Sequence, residues 1–175
     1  MASTLKINNL DTASGSTITI PTGKQLIGTD INSIKAPGMI IQVAQHQNST
    51  ESSTAGTTFI DTGCILAFTP KYSNSLLIFH AMMAAEQYSA ANTGSRYRLM
   101  RDSTVIYESD YDLYHSSQAS GNQNIEKVNY LFQETSSSTS ARTYKWQYSS
   151  VTSGGTSRHN KYGSPSMMMI MEVAQ

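Results

Sequence analysis

The chain has 175 residues, enough for one ordinary domain, and its 12 basic and 12 acidic residues give a net charge of zero. A nucleic-acid-binding protein normally carries a clustered basic excess, so we expect no nucleic-acid partner. No segment approaches the roughly 20 consecutive apolar residues that a membrane-spanning helix needs, so we expect no membrane insertion.

The single cysteine, Cys64, excludes an internal disulfide and a zinc site built on several cysteines. The first residues, MASTLKINNL, lack the hydrophobic segment of a signal peptide. We therefore expect synthesis in a reducing cytosol. Ser and Thr make up about a quarter of the chain, alongside ten Tyr, a composition that favours strands and turns over helices.

Residues 1–37 contain single or paired apolar residues separated by Asn, Asp, Ser, Thr and Gly. Ile18 and Ile20 alternate with polar residues until Pro21 breaks the pattern, and no run is long enough to close a core. This predicts an extended arm that becomes ordered by pairing with copies of itself or with another protein; a flexible arm is the alternative. The candidates for such attachment are Leu5, Ile7, Ile18, Ile20, Leu26 and Ile27.

From Gly38 to Gln175 we predict about eight strands joined by polar connections. The first is GMIIQVAQHQ, and RYRLMRDSTVIYES predicts a hairpin whose turn is Asp102-Ser103-Thr104. NSTESSTAG and TSGGTSRHNKYGSP are predicted to be loops. This spacing predicts an all-β fold, an antiparallel β-sandwich of the jelly-roll type, as a domain of residues 38–175.

Two similar pentapeptides, IQVAQ at 41–45 and MEVAQ at 171–175, lie near the ends of this domain. A jelly roll sets its first and last strands side by side. We therefore expect these two segments to be neighbours in one sheet, although a chance match is the competing explanation.

Two predicted strands, LLIFHAMMAA and SMMMIMEVAQ, are apolar on both faces. An antiparallel strand with one wet face should alternate apolar with polar residues. A second dry surface is therefore expected outside the monomer, which favours a symmetric oligomer; cover by loops and the N-terminal arm is the alternative. Which face of the last strand meets the other subunits is left open. Our interface candidates are Leu77, Phe79, Met83, Met168 and Ile170.

No established catalytic motif occurs, and the four histidines are too dispersed for a typical metal site, so we expect no enzyme activity and no cofactor. Two polar clusters, YESDYDLYH and SRHNKYG, combine aromatic rings with charged groups that can hold sugars or a receptor. Solvated loops are the alternative, and the EF-hand spacing for calcium is absent. The contact candidates are Tyr107, Glu108, Asp110, Tyr111, Asp112, Tyr114, His115, Arg158, His159 and Tyr162.

The N-terminal segments STLKINNL, GSTITIPTGKQLIG and SIKAPGMIIQVAQ resemble the start of tail-fibre-like virion proteins of bacteriophages. FIDTGCILAFTPKYSNSLLIF, RLMRDSTVI, TYKW and the closing MMMIMEV resemble the globular domain of those proteins. That domain is similar to the trimeric jelly-roll heads of the tumour-necrosis-factor and complement type.

The resemblance implies a homotrimeric structural protein on the virion surface. Its N-terminal arm would bind other tail or capsid proteins, and its C-terminal knob would meet a glycan or protein of the host surface. No extended shaft separates the arm from the knob, so a capsid decoration or cement protein is the alternative to a short tail fibre. A lectin or carbohydrate-active enzyme built around Glu108, Asp110 and Asp112 is the third hypothesis.

Overall fold

The computed structural model describes residues 20–28, 34–88, 93–115 and 123–175. The chain divides into two compact units, residues 1–34 and residues 35–175, whereas the sequence places the boundary after residue 37. In the described part of the first unit, the Lys24 N–H donates to the Pro21 carbonyl at 3.0 Å and closes a turn. All strands of the described residues lie in the second unit.

Eleven strands and one short 3-10 turn, Lys161–Gly163, form the described part of the second unit. The strands are β1 (Ile40–Asn48), β2 (Ser52–Thr54), β3 (Ile60–Phe68), β4 (Leu76–Tyr88), β5 (Thr93–Arg101), β6 (Thr104–Glu108), β7 (Leu113–His115), β8 (Gln123–Thr135), β9 (Arg142–Ser150), β10 (Thr156–His159) and β11 (Ser166–Val173).

The strands form two sheets in which every pairing is antiparallel. In the first sheet, β1 and β2 lie end to end beside β11 and β10, which are followed by β4 and then β8. In the second sheet the order is β3, β9, β5, and then β6 and β7 end to end. Three positions are thus filled by two strands each, which leaves eight positions in the order of a jelly roll. The predicted fold class is confirmed.

The two similar pentapeptides are neighbours, as predicted. β1 pairs with β11 in antiparallel register, with Val43 opposite Met171 and Ala44 opposite Ile170. Two further hydrogen bonds extend this pair at one end, where the Gly38 N–H donates to the Ala174 carbonyl at 2.8 Å and the Ala174 N–H donates to the Met39 carbonyl at 2.8 Å.

The hairpin prediction is confirmed, and two of the loop predictions are partly wrong. Asp102 adopts a positive φ of 53° in the turn between β5 and β6. However, β2 lies inside NSTESSTAG, and β10 lies inside TSGGTSRHNKYGSP. Both are short polar strands that pair with each other, and β10 also pairs with β4. Their backbone pairing is a tertiary effect that hydrophobic alternation does not reveal.

The core lies between the sheets and is rich in aromatic rings. Trp146, Tyr144 and Tyr148 project from β9, and the Trp146 ring stacks on Tyr130 of β8 at 4.4 Å between centroids. Cys64 is fully buried there, as expected for a small apolar residue, and this burial raises the pKa of its thiol to about 12.

The five residues predicted as interface candidates belong to this core. They are at most 1% exposed within a single chain, so none of them is accessible to another subunit. The prediction for this face is therefore wrong, because the inward-facing residues of β4 and β11 pack against the second sheet. The corrected residues are Leu77, Phe79, Met83, Met168 and Ile170.

Candidate functional site

The strand directions give the sandwich two distinct ends. At one end, called here the entry end, Gly38 pairs with Ala174, and Leu76 lies opposite Thr135. At the other, called the loop end, Tyr88 lies opposite both Gln123 and Thr156. The two ends are separated by the 13 residues of β4, a distance of about 40 Å.

The structure divides the YESDYDLYH cluster into buried and exposed parts. Asp112 accepts a hydrogen bond from the Tyr97 N–H at 2.8 Å and another from the Ser109 hydroxyl. Burial raises the pKa of Asp112, and these hydrogen bonds oppose the rise. Asp112 therefore fixes the crossing from β6 to β7, and because its side chain is half-buried its role as a contact residue stays a prediction.

Tyr107 and Glu108 make contacts within the sandwich. The Tyr107 ring packs edge-on against Tyr130 and Trp146, with centroids 5.7 and 6.0 Å apart. The Glu108 carboxylate lies 3.9 Å from the guanidinium groups of both Arg96 and Arg98.

Tyr111 and Tyr114 form the exposed part of this cluster. They are 57% and 47% exposed, and their rings meet edge to face at 5.4 Å. A side chain at Gly94 would collide with the Leu113 carbonyl at 2.4 Å, so glycine lets β7 and the preceding Tyr111 lie close to β5. Asp110 beside them is also exposed. For His115, the structure describes the backbone pairing with Thr93.

The SRHNKYG cluster is divided in the same way. The alternation of β10 turns His159 inward, where it is fully buried beside Tyr97 and Tyr148, so its prediction as a surface contact is wrong. Arg158 pairs with the buried Glu86 at 3.2 Å and lies over the Tyr88 ring. Tyr162 is 70% exposed and remains available to a partner.

Burial of His159 makes the fold sensitive to acid. Desolvation and the nearby Lys127 charge lower the pKa of His159 to about 3, and its Nδ1 lies 3.2 Å from the Tyr97 hydroxyl. Below about pH 6.5 His159 binds a proton in the unfolded chain but stays neutral in the folded chain. The free energy of unfolding therefore falls as pH falls.

We therefore predict that the free energy of unfolding drops by about 2 kcal/mol between pH 7.5 and pH 5 because of this residue alone. Urea denaturation of the wild type and of His159→Gln at both pH values measures it. The variant should lose less stability on acidification; an equal loss in both proteins would contradict the assignment.

The attachment candidates of the N-terminal arm are only partly described. Ile20, Leu26 and Ile27 are 44%, 64% and 71% exposed. Leu5, Ile7 and Ile18 lie outside the described residues. Their role as attachment residues stays a prediction.

The described ranges contain no group of three or more His, Cys, Asp and Glu side chains that could hold a metal ion. They also contain no helix long and apolar enough to cross a membrane.

Sequence reasoning expected a second dry surface but placed its candidate residues on the wrong face; the apolar face left outside is the outward face of the first sheet. Leu131 of β8 is 79% exposed there, and Val43 of β1 is 54% exposed. The last strand carries apolar residues on both of its faces, so its sequence does not show which face is the core and which lies outside. Only the position of the second sheet decides between them.

No protein-family model matches the sequence, and no curated protein matches it either. Solved structures similar in fold include infectious bursal disease virus Gx strain, with 15% identity, a TM-score of 0.39, and coverage of 86% of this chain and 42% of the other. The VP2 subviral particle of the same virus has 13% identity and a TM-score of 0.38, with 86% and 42% coverage. Dimeric latent PorU from Porphyromonas gingivalis has 8% identity and a TM-score of 0.41, with 84% and 14% coverage.

The chain thus spans less than half the length of these proteins. At such scores the likeness carries no argument about function, and the fold assignment rests on the strand order of the chain itself.

Proposed function

We propose that this protein is a non-enzymatic bacteriophage virion protein, a homotrimeric short tail fibre or knob. Residues 1–37 attach it to the particle, and the loop end of the sandwich meets the host surface. The observation that carries this proposal is the separation of the two ends. The chain enters the sandwich beside Ala174, about 40 Å from the end where Tyr88, Gln123 and Thr156 meet.

The exposed tyrosines support adhesion at the loop end. Tyr111 and Tyr114 lie beside Gly94 at the start of β5, and the Tyr162 hydroxyl is 3.5 Å from the side-chain amide of Gln123. Exposed tyrosines offer large, rigid contact area with a polar tip, which suits both sugar rings and protein surfaces.

The carboxylates favour binding over catalysis. A glycosidase needs two carboxyl groups facing one sugar, about 5–9.5 Å apart. Here Asp112 is engaged by Tyr97 and Ser109, and Glu108, although exposed, is paired with two arginines, so neither offers a free carboxylate beside Asp110. A carbohydrate-active enzyme is therefore a weaker proposal than a glycan-binding knob.

Competition for adsorption tests this function. Purified full-length protein, added in excess, should slow adsorption of the phage to its host cells. A Tyr111→Ala, Tyr114→Ala double variant should need at least about tenfold more protein for the same effect, because about 1.4 kcal/mol of ring contact is lost. Val105→Ala, a 41% exposed residue of β6 near the entry end, is the control and should compete like the wild type.

A capsid decoration protein is the alternative, with the same knob and an arm that docks between capsomers. It predicts no competition for adsorption at any protein concentration. Absence of competition by the correctly folded wild type would therefore contradict the tail-fibre proposal.

A further inference from the structure

The two outward faces of the sandwich differ in chemistry. On the second sheet, Asp61 pairs with Lys145 at 3.0 Å and accepts a hydrogen bond from Gln147 at 2.6 Å. Gln147 in turn accepts one from Arg98 at 2.8 Å, and Arg98 lies 3.9 Å from Glu108. A network of ion pairs and hydrogen bonds of this kind is what a solvated sheet face normally carries.

The central part of the outward face of the first sheet has no such network among the described residues. Four rows of side chains cross β1, β11, β4 and β8, and among these described residues there is no Asp, Glu, Lys or Arg. The rows are Ile40–Val173–Leu76–Thr135, Val43–Met171–Ile78–Gln133, Gln45–Met169–His80–Leu131 and Gln47–Met167–Met82–Asn129. We call these sixteen residues the methionine face.

Charged groups border the methionine face on the side of the loop end. Lys127 donates to the Pro165 carbonyl at 2.8 Å, and Arg158 pairs with Glu86 at 3.2 Å in the rows beyond. An apolar centre with a polar rim is the anatomy of a protein–protein interface.

We propose that the methionine face is the surface on which further copies of this chain pack. This inference rests on the homotrimer in the proposed function and assigns its interface. In a three-fold assembly the methionine faces of three subunits would surround the axis, and each would contact both neighbours.

Several features fit a second copy as the occupant. The face is uncharged, so two copies approach each other without repulsion and no oppositely charged partner is required. Its six polar members carry both donors and acceptors and can pair with their own kind; they are Gln45, Gln47, His80, Asn129, Gln133 and Thr135. Methionine side chains adapt to an irregular opposing surface.

The size of the face also fits. Four strands about 4.8 Å apart and four rows about 6.8 Å apart give a projected area of about 500 Å2. Its apolar residues form part of this area, and contiguous exposed apolar patches of a few hundred Å2 often mark interaction sites in soluble proteins. The accessible area exceeds the projected area because side chains protrude and polar residues surround the face. It therefore approaches the area of about 800 Å2 that each partner buries in a standard interface.

Measuring the mass of the full-length chain by sedimentation at micromolar concentration tests the assignment. We expect three times 19.1 kDa for the wild type. Leu131→Asp and Met169→Asp should each weaken association at least tenfold while leaving the circular dichroism spectrum unchanged. Leu131→Gln, which adds no charge, should weaken it less.

The matched control is Ile65→Asp. Ile65 is 40% exposed on the outward face of the second sheet, and its aspartate variant should remain a trimer. A trimer that survives both Leu131→Asp and Met169→Asp overturns the assigned face but leaves the homotrimer in place; if deletion of residues 1–37 then abolishes it, the arm is the interface.

A monomeric wild type overturns the methionine face and the trimer together. The adsorption experiment remains an independent test of the adhesive role, so the two proposals fail by different results.

Discussion

Replacing Ile170 with aspartate is expected to abolish folding of the sandwich. Ile170 is fully buried, lies opposite Phe79 of β4, and belongs to the core between the sheets. An aspartate there would place a carboxylate in the core without a designed partner and leave a space that the isoleucine filled. The cost of several kcal/mol is comparable to the about 5–15 kcal/mol that stabilises a whole domain.

The neighbouring substitution Met169→Asp is the matched control, because alternation turns residue 169 outward. It should retain a cooperative urea transition, because the sandwich still folds, whereas Ile170→Asp should be insoluble or lack a transition. Equal stability of the two variants would show that the inward and outward faces of β11 have been assigned incorrectly.

Replacing Glu172 with alanine is expected to cause the second largest loss. Its buried carboxylate accepts hydrogen bonds from the N–H groups of Lys71, at 2.9 Å, and Tyr72, at 3.1 Å. The Ser75 hydroxyl and the Gln42 amide also donate to it. Alanine would leave these donors without their acceptor and detach the turn before β4 from the last strand, at a cost of about 3 kcal/mol or more.

The same carboxylate makes a second acid-sensitive contribution. Burial alone would raise the pKa of Glu172, but the hydrogen bonds from Ser75, Lys71, Tyr72 and Gln42 outweigh it, so the pKa lies below its usual value. A depressed carboxyl pKa gives stability that is present at neutral pH and is lost as pH falls through the ordinary range, about pH 4.3, and below.

Urea denaturation at pH 7 measures the loss in Glu172→Ala, and a series from pH 6 to pH 3 measures the acid contribution. Glu172→Gln keeps the size and one acceptor oxygen, so it should lose less stability at pH 7 and show a shallower decline below pH 5. A Glu172→Ala protein as stable as the wild type would contradict the bridging role.

The fold class, the hairpin at Asp102 and the pairing of β1 with β11 follow from alternation, turn residues and the similar pentapeptides. The face assignment of the last strand does not. Both of its faces are apolar, and Glu172 interrupts the one that proves to be the core. Its carboxylate is satisfied by backbone N–H groups about 100 residues away in sequence, which no local pattern reveals.

The candidate contact residues show the same limit. Composition identifies clusters of Tyr, His and acidic residues, but strand alternation and side-chain hydrogen bonds decide which of them face solvent. Alternation in β10 turns His159 inward and Asp112 is half-buried by its hydrogen bond to Tyr97, whereas Tyr111, Tyr114 and Tyr162 remain exposed. The strand β10, which orients His159, carries too few apolar residues to be recognised from sequence.

Electron cryomicroscopy of the assembled phage particle tests the central proposal most directly. We predict three-fold density for this protein at the tail, with the entry end of the sandwich towards the particle and the loop end, with Tyr111 and Tyr114, facing outward. Density between capsomers would indicate the decoration protein instead, and a particle that carries no copy of the chain would contradict its role as a virion protein.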